Sequence, residues 1–211
     1  MAATKDTYFR LEDAYHTLNN WLWDGKLPPV LLTFQRGKSF KGYAWQDKFV
    51  YRTNAHARLS EIALNPDYFG RTDREICATL LHEMCHVAEF AFHKTPRGSY
   101  HTKWWAAEME RVGLMPTSTG AEGGAKTGQR VTHYIINGGA FESIWNHEFM
   151  GRSLLVEWMS LPQDAAAKPK PKRVKYTCPA CAANVMGRRG LRLICACERN
   201  AARDIMTEQQ A

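Results

Sequence analysis

The sequence predicts an α+β fold with a small antiparallel sheet, one strongly signalled central helix and a small cysteine-rich module near the carboxy terminus. Three observations support this fold class: an early amphipathic stripe, a series of short strand-forming runs, and a capped apolar helix pattern in the middle of the chain. The 211 residues are 45% hydrophobic and 23% charged, which is ordinary for a globular protein. This composition excludes a chain that is disordered over most of its length.

The first helix and the sheet are predicted from residues 7–65. Apolar side chains recur every three or four residues from Thr7 to Trp23, as on one face of a helix. The turn pair Asp24-Gly25 then ends this helix. Three runs rich in strand formers follow, and we expect them to pair into the antiparallel sheet. They are residues 30–34, 42–45 and 59–65.

The central helix has the clearest boundaries. Thr72 and Glu75 have the spacing of a capping box, and an apolar stripe runs from Ile76 to Ala91. The helix is therefore predicted over residues 73–92, ending before Thr95-Pro96.

The elements after the central helix are less regular. A third helix is predicted over residues 101–112, with Gly113 as its stop. A loop with four glycines covers 117–130, a strand 130–136 and a weakly periodic helix 141–158.

A Lys/Pro-rich stretch predicts a domain boundary, because alternating Lys and Pro favours an extended spacer. We expect a first domain at 1–161, a basic linker at 162–175, a zinc-ribbon-like module at 176–204 and a frayed tail at 205–211. No membrane span or secretory signal is recognisable, so a cytoplasmic protein is expected, with association with the nucleoid left open.

Positive charge is concentrated in one segment of the chain. The formal net charge is +7, whereas residues 165–192 carry eight cationic side chains and no acidic ones. The eight are Lys168, Lys170, Lys172, Arg173, Lys175, Arg188, Arg189 and Arg192. This pattern favours non-specific binding of DNA through phosphates. The alternative is a solvated linker with no partner.

A metal-binding motif lies inside the predicted central helix. His82, Glu83 and His86 form the pattern HExxH, and chance alone gives about 0.02 such matches in a chain of this composition. Residues i and i+4 share one face of a helix, so both imidazoles can reach a single ion. The alternative is a helix whose histidines are merely packed or exposed.

Three residues are candidates for the third metal ligand. His101 is favoured, because it opens the third helix ahead of two tryptophans; Glu108 and His133 remain as alternatives. His93 would lie about 10 Å along the helix axis from His86, too far to share an ion. The metzincin pattern is excluded because Glu89 stands where it requires Gly, and Phe92 where it requires His.

The implied chemistry is hydrolysis of a peptide bond. Three protein ligands leave a fourth position on zinc for a water molecule, and Glu83 is the general base that takes its proton. Hydrolysis of a non-protein amide is an alternative reaction. An alternative function is that of a non-proteolytic, zinc-containing protein that binds nucleic acid or has a regulatory role.

Three segments together resemble the SprT-like zinc metalloproteases, the family that includes the Spartan repair proteases. They are LNNWLWDGKLP at 18–28, TLLHEMCHVAEF at 79–90 and SYHTKWW at 99–105. The resemblance extends over residues 11–113 and implies a zincin-like fold. It also implies that His82, His86 and His101 are zinc ligands and that Glu83 is the catalytic base. Family members of this type are implicated in cleaving proteins bound or crosslinked to DNA, and bacterial and phage-like members often carry a carboxy-terminal zinc ribbon.

The last cysteines predict a second, structural zinc site. Cys178, Cys181, Cys195 and Cys197 lie within twenty residues, and so small a module scarcely folds without a metal. The second pair is CxC rather than CxxC, and Ala182 and Glu198 stand where a zinc ribbon normally has Gly. A decayed or redox-active tail is therefore the alternative, while Cys77 and Cys85 are expected in the core.

Overall fold

A computed structural model describes residues 2–94, 100–152, 155–160 and 173–209 of the chain. The chain divides into two compact units, residues 1–161 and 162–211. The predicted linker lysines Lys168, Lys170 and Lys172 lie outside the described residues.

The first unit combines helices with two small sheets, as the predicted α+β class requires. Its helices are α1 (Ala3–Trp23), α2 (Asp73–Phe92), α3 (Lys103–Arg111) and α4 (Ala140–Ile144), with a 3₁₀ turn at Pro66–Tyr68 and a π-helical turn at Trp145–Phe149. Its strands are β1 (Val30–Phe34), β2 (Gly42–Tyr51), β3 (Asn54–Leu64), β4 (Leu114–Thr117) and β5 (Thr132–Ile135).

The three-stranded sheet is mixed, which corrects the prediction that it is antiparallel. Its order is β1-β3-β2, and β1 runs parallel to β3 while β2 runs antiparallel to it. The hairpin between β2 and β3 places β3 in the middle, running in the same direction as β1. Strands β2 and β3 are also longer than predicted. Their hairpin residues 50–58 are exposed on both faces and show no apolar alternation, so the sequence pattern does not reveal the extra strand length.

Helix α2 confirms the predicted boundaries and lies at the centre of the first unit. The Thr72 hydroxyl accepts a hydrogen bond from the Glu75 amide at 3.3 Å, and the Glu75 carboxylate accepts one from the Thr72 amide at 3.0 Å. From Ile76 to Cys85 every residue is buried, because the helix packs against α1, α3, β2 and β3. The metal-binding motif therefore lies on the most enclosed helix of the chain.

The segment after α3 differs from the prediction in two places. Residues 114–117 form β4, which pairs antiparallel with β5; neighbouring Gly and Pro residues obscure this strand in the sequence. The helix predicted over 141–158 ends at Phe149, where Gly151 follows with a φ of +80°. Among the described residues, no helix combines the length and the apolar character needed to cross a membrane.

The second unit is a small antiparallel sheet with a compact core. Its strands β6 (Arg173–Thr177), β7 (Asn184–Arg188) and β8 (Thr207–Gln209) have the order β7-β6-β8. Its buried apolar residues are Val174, Tyr176, Cys178 and Met206. Strand β8 lies within the segment predicted to be frayed, and it pairs with β6.

Candidate metal centre

Three histidines converge beside the middle of α2. His82 and His86 lie one helical turn apart, and His101 lies just before α3. One ring nitrogen from each lies within 4.8 Å of the others. The ring centroids are 4.9–5.6 Å apart. The structure thus brings together the three histidines that the sequence favours.

His101 is held by the glycine-rich loop. Its backbone and that of Gly128 exchange two hydrogen bonds, of 2.8 and 3.1 Å. The Nδ1 atom of His101 also lies 2.9 Å from the Gly128 carbonyl oxygen, to which it donates. With Nδ1 protonated, the lone pair lies on Nε2, which is the arrangement of a metal-binding imidazole. Part of the predicted 117–130 loop therefore supports the site.

A buried contact between α2 and α3 fixes the position next to His101. The Thr102 hydroxyl donates to the Glu89 carboxylate and accepts a hydrogen bond from the Trp105 amide at 3.1 Å. Glu89 is fully buried, and within the described residues its second carboxylate oxygen has no hydrogen-bond partner. Thr102 thereby caps α3 and joins it to α2.

The histidines lie in apolar surroundings that keep them neutral. The Trp105 ring packs against all three of them, with centroid distances of 4.4–5.0 Å. Burial, followed by repulsion from His101, lowers the pKa of His86 to about 3. Burial is also the main reason why the pKa values of His82 and His101 are lowered. Neutral imidazole is the form that binds a metal ion.

Glu83 follows His82 on α2, and its side chain lies against the edge strand β2. Its side chain is buried, and a Cβ atom on Gly42 would lie 3.0 Å from Glu83 Oε1. Burial raises the pKa of Glu83 to about 8, against the effect of a hydrogen bond with the Ala44 backbone. A cation held by the adjacent histidines would lower this pKa, because an opposite charge favours the carboxylate.

The other candidates for the third ligand do not belong to this group of three histidines. His133 is outside the group of three, and its Nδ1 lies 3.0 Å from Nδ1 of His82. Glu108 accepts a hydrogen bond from the Trp23 indole at 2.6 Å. The ring of His93 stacks on Trp104 at 5.3 Å.

Sequence reasoning missed the supporting residues Glu89, Thr102 and Gly128. Thr102 carried a usable signal, because threonine is a favoured N-cap and Trp105 follows three residues later. Glu89 and Gly128 had no comparable signal, since their roles depend on contacts with residues 13 and 27 positions away.

The four carboxy-terminal cysteines form a second cluster. Their sulfur atoms all lie within 4.8 Å of one another. Cys178 and Cys197 are 3.9 Å apart and Cys181 and Cys195 are 3.7 Å apart, each between sulfurs. Burial raises the pKa of the Cys178 thiol, but hydrogen bonds that its sulfur accepts from the Cys181 and Ala180 backbone amides and from nearby thiols outweigh burial and lower that pKa to about 7.

The structure shows the local conformation at the two places where this sequence departs from the usual zinc-ribbon pattern. Ala182 adopts a φ of +60°, the left-handed conformation that Gly normally provides. After the CxC pair, the buried Asn200 side chain donates to the carbonyls of Cys195 and Asp204 and accepts from the Asp204 amide, at 2.9–3.1 Å. Cys77 and Cys85 are buried in the core of the first unit.

Both donor sets fit zinc. Three neutral imidazoles, of which His82 and His101 are buried and His86 is partly buried, and four thiols gathered within one sulfur cluster are ligand types that zinc prefers. In each group the ligand atoms already lie within 4.8 Å of one another, so no side chain has to move from a distant part of its unit to hold an ion.

Comparison with known proteins identifies the family of this chain. Residues 11–127 match the SprT-like family. A Salmonella typhimurium relative, described as an uncharacterized protein in the mucB 3' region, is 40% identical over 53 residues, which cover 25% of this chain and 72% of the relative. No solved structure matches. Because the family match covers more than half of the 211 residues, the protein belongs to the SprT-like family.

Proposed function

We propose that the protein is a zinc-dependent metalloprotease that hydrolyses peptide bonds in proteins associated with, or crosslinked to, DNA. The observation that carries the proteolytic part is the convergence of three neutral histidines next to a buried glutamate. Burying the carboxyl group of Glu83 carries a desolvation cost, and a purely structural zinc site has no need of a base, so Glu83 favours a catalytic role for this site.

The three histidines and Glu83 have different roles in the proposed hydrolysis. Zinc bound by His82, His86 and His101 would supply a Lewis acid and lower the pKa of a water molecule. Glu83 accepts the proton of the attacking water and passes it to the leaving amine. Strand β2 is an edge strand of its sheet and lies against Glu83, so an extended peptide placed along it would bring its carbonyl group near the base.

Substituting Glu83→Gln tests the proteolytic part. The change keeps the shape of the side chain and removes the base, so zinc content should be unchanged while cleavage is lost. Elemental analysis gives the zinc content, and electrophoresis follows a protein crosslinked to an oligonucleotide and the same protein without DNA. Glu110→Gln is the matched control, because that carboxylate is partly exposed and pairs with Lys126. Equal cleavage by Glu83→Gln and wild type would refute the proposal in favour of a binding or regulatory protein.

The second zinc ion is proposed to hold the carboxy-terminal unit together. The wild-type chain should contain two zinc equivalents, and the double substitution Cys178→Ser/Cys181→Ser should contain one. His101→Ala should also lose one equivalent, whereas Cys77→Ala should keep both. One equivalent in wild type that the double Ser variant retains would rule out zinc at the cysteines.

Binding of DNA is supported by the charge on one face of the second unit. Arg173 and Arg188 are direct cross-strand partners, so their side chains lie on the same face of the sheet, and both are exposed. Like charges directly opposite destabilise a sheet, and a phosphate group would relieve that repulsion. Lys175 projects from the same face of β6.

The affinity for DNA and its salt dependence test this interface. Arg173→Gln/Arg188→Gln should weaken binding of a fluorescent duplex and lower the magnitude of the salt slope by about 0.9 for each phosphate that the variant no longer neutralises. Arg152→Gln is the control, since that side chain pairs with Asp13 and Glu148 in the first unit. An unchanged slope in the double variant would remove these two arginines from the interface, and the same assay with a single strand gives the preference between the two forms.

A further inference from the structure

His133 is the titratable side chain of the metal centre that the proposed mechanism does not use. It lies on β5, half-buried, with its ring centroid 5.1 Å from that of His82. The two Nδ1 atoms are 3.0 Å apart, a normal hydrogen-bond length. One of these nitrogens must therefore be the donor and the other the acceptor.

Metal binding decides which nitrogen is the donor. The Nδ1 atom of His82 is engaged with His133, which lies outside the group of three histidines. The nitrogen left for an ion is Nε2, and in a neutral imidazole Nε2 has a free lone pair only when Nδ1 carries the proton. The reverse arrangement would protonate Nε2 of His82 and block the ion.

We propose that His133 is a positioning residue for the metal centre, accepting the Nδ1 proton of His82 and thereby fixing the tautomer and ring orientation that metal binding requires. This inference rests on the proposed zinc site. It gives His82 the same kind of support that the Gly128 carbonyl gives His101. Such partners of ligating histidines raise their basicity and hold them in place.

The strand that carries His133 is well anchored. Strand β5 pairs with β4, and the amide of Ile136 donates to the Gly113 carbonyl at 3.0 Å. Gly113 comes two residues after the end of α3, and Pro116 is the register partner of His133. The β4–β5 sheet therefore presents the acceptor from a rigid element, which is what precise placement of a supporting group requires.

A pair of variants of equal shape isolates the hydrogen bond. In His133→Asn, the side-chain oxygen occupies the place of Nδ1 and keeps an acceptor; in His133→Leu, a methyl group takes that place. We expect His133→Leu to weaken zinc binding about 10- to 100-fold, and His133→Asn to stay within about threefold of wild type. Zinc affinity is measured by competition with a chromogenic chelator in the full chain, and Tyr134→Phe is the control on the opposite face of β5.

The outcomes separate this inference from the function it rests on. Equal zinc affinities for the Leu and Asn variants, with wild type binding zinc normally, would overturn the role of His133 and leave the metal site intact. Failure of wild type itself to bind zinc at the histidines would instead overturn the proposed function.

A measurement on the wild-type protein covers the case in which a variant does not fold. Nitrogen-15 NMR of the zinc-loaded chain should show His82 protonated at Nδ1, with coupling across the hydrogen bond to Nδ1 of His133. A proton on Nδ1 of His133 instead would refute the proposal without any substitution.

Discussion

Replacing Thr102 with Val should destabilise the first unit by about 2–4 kcal/mol. The variant keeps the shape of the side chain and removes a hydroxyl that serves two partners. Loss of the N-cap bond to the Trp105 amide costs about 1 kcal/mol. Loss of the donor to Glu89 leaves the second of its two buried carboxyl oxygens without a hydrogen-bond partner among the described residues as well, at about 1–3 kcal/mol.

Urea unfolding followed by tryptophan fluorescence measures this effect in the full chain. All seven tryptophans precede residue 161, so the signal reports on the first unit alone. A chelator in every sample removes the contribution of zinc binding to stability. Thr102→Ser keeps the hydroxyl and should cost less than about 1 kcal/mol. A Val variant as stable as the Ser variant would refute the argument that this hydroxyl joins α2 to α3.

A helix cap, a crowded glycine and a buried carboxylate give three further predictions. Thr72→Ala should cost about 1 kcal/mol in urea unfolding, because it removes the hydroxyl that caps α2 at Glu75; an unchanged midpoint would contradict this. Gly113→Ala should cost about 2 kcal/mol or more, because φ is +93° and the new Cβ would lie 2.6 Å from the Phe141 amide nitrogen; wild-type stability would show that the backbone can shift. Burial raises the pKa of Glu89, so its contribution to stability is complete below the unfolded pKa of about 4.3 and is lost as pH rises through the folded value. Glu89→Gln should lack this loss when urea midpoints are compared from pH 5 to 8, and parallel pH profiles for the two proteins would refute the assignment.

Features that depend on local spacing along the chain are predictable from the sequence alone. Thr72 and Glu75 set the start of α2, and the i, i+4 spacing placed His82 and His86 on one face of it. These patterns are readable because helix geometry relates residues three or four apart without reference to the rest of the chain. The cysteine spacing likewise predicted the sulfur cluster.

The sequence favours His101 as the third ligand but leaves Glu108 and His133 as alternatives, for a physical reason. His101, Glu108 and His133 are 15 or more residues from His86, and no local rule relates positions that far apart. Only the packing of α3 on α2, with Thr102 bonded to Glu89, brings His101 to the other two histidines. The same packing leaves Glu108 bonded to Trp23.

Tertiary structure also decided the strand pairing and the support of the metal centre. The parallel pairing of β1 with β3 follows from where the β2–β3 hairpin docks, which the apolar pattern of β1 does not encode. The hydrogen bonds from His101 to Gly128 and between His82 and His133 span 27 and 51 residues. Such contacts form only when separate elements pack together, because the burial of apolar surface must outweigh the entropy cost of closing a long loop, and neither quantity depends on local conformation alone.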